Sequence, residues 1–99
     1  MDAKKIAQYM NIASLAIALG IAERSERSLK LEYHSAWARF EGSEDEEGRY
    51  CFVERITREN GKKWDAALEE TKPQYLAYQE AKKETRRAKR RLSSALRKA

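Results

Sequence analysis

Between Ala3 and Ala22 the apolar residues Ile6, Tyr9, Met10, Ala13, Ala16, Ile17, Gly20 and Ile21 recur at spacings of three and four, the repeat of an α-helix. Ile12, Leu15 and Leu19 are apolar as well, so the stripe wraps nearly around the cylinder and predicts a helix covered on more than one side. Ala13, Ala16 and Gly20 share a face on which a neighbouring backbone can come close. The next stretch, Glu23 to Ser28, carries four charges and two serines that can cap a new helix, and we read a break there. It lacks Gly and Pro, so one fused rod is the alternative. Leu29, Tyr33, Trp37 and Phe40 then form an aromatic-rich amphipathic stripe that Gly42 stops.

Ser43-Glu44-Asp45-Glu46 has the form of a capping box, with Ser43 placed to accept from a first-turn amide and Glu46 to reach back. It predicts a helix from Glu44 to about Glu59, with Tyr50, Phe52, Val53 and Ile56 inward and Asn60-Gly61 at its end. The rival is a strand over Arg49 to Thr57, because those residues are β-favouring and glycines bracket them. Lys62 to Thr71 reads as a short helix with Trp64, Ala67 and Leu68 on one side. Pro73 predicts a kink or a fresh start. Beyond it, Tyr78, Ala81, Thr85, Ala88, Leu92, Ala95 and Ala99 follow alternating steps of three and four, a heptad seam. The seam is narrow and mostly alanine, so docking along it is close but weak.

These elements predict an all-α fold, a small helical bundle of four to five helices with a long basic C-terminal helix. The chain of 99 residues reads as one domain, with residues 1–71 as bundle core and 72–99 as the basic helix. Charged residues make up 37% of it, which favours solvated helices over a compact sheet. The single cysteine, Cys51, excludes an internal disulfide, is read as a small buried hydrophobe, and favours a reducing, cytoplasmic setting. Ile6 to Ala22 is free of charge and follows Lys4 and Lys5, which resembles a signal peptide or a short membrane span. It falls short of the ~20 apolar residues that cross a bilayer, so a buried helix, or a homo-oligomer formed through residues 6–22, is the preferred reading.

Charge is distributed unevenly. Lys72 to Ala99 holds ten Lys/Arg against Glu80 and Glu84, while the remainder holds eleven against fourteen acids. Lys82, Lys83, Arg86, Arg87, Lys89, Arg90, Arg91, Arg97 and Lys98 surround the alanine seam, and like charges at helical spacing repel until an anionic partner arrives. They are the candidate contacts to nucleic acid or to an acidic protein or nucleoprotein surface. The bland alternative is a solvated face, and an anionic membrane fits poorly because the seam lacks Trp and Phe. Tyr75 and Tyr78 open the basic helix and are candidates for stacking on unpaired bases, although anchoring the helix to the core is the simpler role.

Catalytic signatures are missing from the sequence. His34 has no second His or a Cys near it, and the carboxylate pairs Glu46/Glu47 and Glu69/Glu70 point apart on a helix. Gly-rich phosphate loops, zinc-finger spacings and RNA-recognition signatures are absent as well. The expectation is a non-enzyme with no cofactor, metal or small-molecule substrate, binding nucleic acid through phosphates. The rival class is a small phage-type protein that binds and inhibits or redirects a larger host nucleic-acid machine, a nuclease or a CRISPR complex.

Overall fold

A computed structural model describes residues 2–99. The chain forms two long helices, α1 over Ala3–Glu41 and α2 over Lys62–Lys98, joined by a hairpin of two short strands and a single 3-10 turn at Arg58–Asn60. The strands, β1 at Gly42–Glu44 and β2 at Tyr50–Phe52, pair antiparallel with Ser43 opposite Cys51. This corrects the expected bundle of four to five helices. Two predicted breaks do not occur, and one predicted helix is a hairpin.

The first break fails at Glu23–Ser28. Half-buried residues Gln8, Ile12, Leu15, Leu19, Ala22, Glu26, Leu29, Tyr33, Ala36 and Phe40 alternate by four and three straight through it. Glu and Arg are good helix formers, and an unbroken seam leaves neither serine a helix end to cap. The fresh start at Pro73 does not occur either, since Pro73 lies within α2. Pro73 is exposed, so the carbonyl of Glu69 that loses its amide partner is on the hydrated side of the helix. The seam read from Tyr78 onward is the inner face of α2 and extends back to Trp64 through Gln74, Thr71 and Ala67. Ala67, Ala81 and Ala88 are buried with Thr71 and Thr85, whose hydroxyls donate to the carbonyls of Ala67 (2.6 Å) and Ala81 (3.1 Å). Both buried threonines are thereby satisfied within their own helix.

Residues 44–59 do not form a helix because Asp45, rather than Ser43, takes the local amides. Its Oδ1 accepts from the N–H groups of Glu47 (2.9 Å) and Arg49 (2.8 Å), closing a turn in which Gly48 sits at φ 79°. That backbone state is cheap only for glycine. The return segment is tied to the end of α1, where the Glu41 carboxylate accepts from the Ile56 N–H at 2.9 Å. Ile56 is buried as expected, but Phe52, Val53 and Cys51 are exposed, which corrects the inward positions given to Phe52 and Val53 and the buried state given to Cys51. The side chain of Tyr50 lies outside the described residues.

The chain divides into two compact units, Met1–Ser28 with Gln79–Ala99, and Leu29–Tyr78. In the first, the opening part of α1 runs antiparallel to the closing part of α2, and Gln8 Nε2 donates to the carbonyl of Lys98 at 3.1 Å. Only one side of α1 is covered there. Ile6, Met10, Ile17 and Ile21 are exposed, contrary to the expectation of a helix enclosed on several sides. By length and composition α1 could cross a membrane. In the second unit the indoles of Trp37 and Trp64 meet edge to face at 5.4 Å, and the ring of Tyr33 lies 5.6 Å from Tyr75 and 6.2 Å from Tyr78.

Candidate polyanion-binding surface

Within the first unit, the seam Ala81, Thr85, Ala88, Leu92 and Ala95 turns one side of α2 toward α1 and leaves the others to carry charge. Lys83, Arg90 and Arg97 occupy the heptad position opposite the seam and repeat at about 10.5 Å along the helix. Arg86 lies beside this row on one side and Arg87 on the other, while Lys82 and Lys89 border one edge of the seam and Arg91 and Lys98 the other. The unit as a whole holds thirteen Lys/Arg against five acids.

Few of these cations are neutralised within the chain. The Arg87 guanidinium is hydrogen-bonded to Glu84 and lies 3.7 Å from Glu80, and the Glu84 hydrogen bond and charge hold it above its ordinary pKa. Lys83 reaches Glu80 only at 4.0 Å, and Lys82 is half-buried and engaged. Arg86, Lys89, Arg90, Arg91 and Lys98 are exposed and have no carboxylate within ion-pair distance among the described residues. Arg97 donates to Ser94 Oγ over a long 3.5 Å. A helical run of this charge with two acids, both near its start, leaves the last three turns uncompensated.

Three of the cations converge. Arg90, Arg91 and Lys98 line a shallow cleft of about 440 Å³ with Asn11, Ser94 and a floor of Leu15 and Ala95. Amide and hydroxyl groups beside guanidinium and ammonium form a donor-rich setting for an anionic oxygen. Asn11 and Ser94 were not among the residues singled out from sequence. Asn11 stands inside the apolar run, and only the antiparallel register in this unit brings it beside Arg91.

Tyr75 and Tyr78 belong to the other unit. Tyr33 packs against both rings, and Tyr75 keeps 44% exposure and lines a cleft of about 660 Å³ with Trp64, Leu68 and Leu76. His34 is exposed, with Tyr33 as its ring neighbour at 5.9 Å. Among the described residues no group of three His, Cys, Asp or Glu side chains is gathered as a metal site. Comparison with protein-family models, curated proteins and solved structures gave no match.

Proposed function

We propose that this chain binds nucleic acid through the phosphate backbone, without catalysis, using the outward faces of α2 between Lys82 and Lys98. The reading is carried by one observation: Arg86, Lys89, Arg90, Arg91 and Lys98 stand exposed on a formed helix with no carboxylate within ion-pair distance among the described residues. A solvated helix normally mixes signs, and like charges at i, i+3 and i+4 lower its stability. Phosphates remove that penalty, and each one neutralised releases a counterion. The helix exists before contact, so little ordering entropy opposes binding.

Contacts of this kind position the chain on the polymer without reading its sequence. Fluorescence anisotropy with labelled duplex DNA, single-stranded DNA and RNA tests the reading. Six to eight phosphate contacts give a log-log salt slope of roughly −5 to −7 on duplex DNA. Replacing Arg86, Arg90 and Arg91 together by Glu abolishes binding while circular dichroism stays unchanged, since all three side chains are exposed. A slope near zero, or binding that survives the triple reversal, removes the proposal.

A further inference from the structure

We propose that a second copy of this chain covers the outward face of α1 between Ile6 and Ile21, with the two α1 helices antiparallel about a two-fold axis beside Ala13 and Ser14. On this face Ile6, Met10, Ile17 and Ile21 are exposed by 46 to 68%, and no charged residue interrupts it. A soluble monomer seldom leaves such a strip open. The order of side-chain sizes identifies the occupant. Read outward from the centre in both directions, the face gives Ala13 and Ser14, then Met10 and Ile17, then Ala7 and Gly20, then Ile6 and Ile21. An antiparallel copy therefore sets small against small at the crossing and large against large beyond it, the self-complementarity that a two-fold interface requires.

Gly20 points the same way. Beyond the backbone of its own helical turns and its two chain neighbours, nothing among the described residues lies within 4 Å of where a Cβ would be, so the fold of one copy gives no reason for a helix-interior glycine that costs stability relative to alanine. A partner backbone approaching there does. Charge leaves few alternatives, because the unit carries thirteen Lys/Arg against five acids and two copies repel across most of its surface. The row Lys83, Arg90 and Arg97 sits opposite the α2 seam, and Met10 and Ile17 sit opposite the α1 seam, so within the unit they point in opposed directions. Joining two apolar faces keeps the cationic rows far apart. A flat membrane against the same strip has those cations on the side away from its headgroups, beyond a screening length of about 8 Å.

The strip is only about 24 Å long, below what an obligate dimer buries, so association is reversible. Sedimentation of the full chain between about 1 and 100 µM is expected to pass from 11.5 kDa to twice that mass, with the midpoint moving to lower concentration as salt is added. Nucleic-acid binding weakens with salt, so the two proposals fail separately. Ile17→Glu and Gly20→Leu are each expected to weaken the dimer at least tenfold with helical circular dichroism retained. Register is tested by cross-linking: Met10→Cys and Ile17→Cys chains, both carrying Cys51→Ser, are mixed and oxidised, and the mixed disulfide is expected to outweigh either symmetric one. A monomer at all concentrations, a dimer indifferent to Ile17→Glu, or no preference for the mixed disulfide overturns the inference. So does a monomer that co-sediments with phosphatidylcholine/phosphatidylglycerol vesicles, which makes a bilayer the occupant.

Discussion

Arg87 and Arg90 are three residues apart on one helix and differ in what they can offer an anion. Arg87 is committed to Glu84 and approaches Glu80, and the Glu84 hydrogen bond and charge raise a pKa that already lies far above the physiological range, so the guanidinium is charged whether or not the pair forms. Arg90 has no carboxylate within ion-pair distance among the described residues and lines the cleft with Arg91 and Lys98. A phosphate approaching Arg87 must displace or share its carboxylates, whereas Arg90 loses only water. The expected outcome is that Arg90→Ala costs more affinity than Arg87→Ala, and that it alone reduces the salt slope by about 1. Paired titrations of the two variants on one duplex over a series of salt concentrations decide this; equal losses would show that the ion pairs do not restrain Arg87.

At the scale of the elements, α2 carries a proline where a helix tolerates it least, and the position is exposed. Pro73→Ala restores an amide for the Glu69 carbonyl and disturbs no seam residue, so the helix should gain up to ~3 kcal/mol, seen as a higher denaturation midpoint. A lower midpoint would mean that the ring shapes α2 for packing. The sequence did show the heptad from Tyr78 to Ala95, the aromatic stripe ending at Gly42 and the buried Ile56, because period and stop signals are local. It misplaced the breaks, since Ser25, Ser28 and Pro73 are signals that a long continuous seam overrides. The hairpin was lost to a competition between two local motifs: the capping box at Ser43 names the same residues as the Asp45 turn, and Gly48 decides for the turn. The α1 stripe legible from spacing, Ile6, Tyr9, Met10, Ala13, Ala16, Ile17, Gly20 and Ile21, is the open side; the covered face is Gln8, Ile12, Leu15 and Leu19, which only the pairing with α2 selects. The cationic residues were readable one by one; their cleft with Asn11 was not, because it depends on which turn of α1 faces which turn of α2.

Across the whole molecule the charge is sorted rather than mixed. The unit built from the two ends of the chain holds thirteen of the Lys/Arg and five acids, while Leu29–Tyr78 holds eight against eleven. A net +5 therefore understates the cationic field that a polyanion meets at the first unit. Glu80 and Glu84 are the two acids within the basic stretch of α2, and together they hold Lys83 and Arg87. Glu80→Gln with Glu84→Gln removes those solvent-exposed pairs, which contribute little to helix stability. It frees two cations beside the existing five. Affinity for duplex DNA should rise and the salt slope should steepen by about 2, which anisotropy at three salt concentrations measures directly. A gain of binding from lost ion pairs is hard to produce by damage to the fold. Unchanged affinity would place the polymer away from Lys83 and Arg87, on the Arg90, Arg91 and Lys98 end of the helix alone.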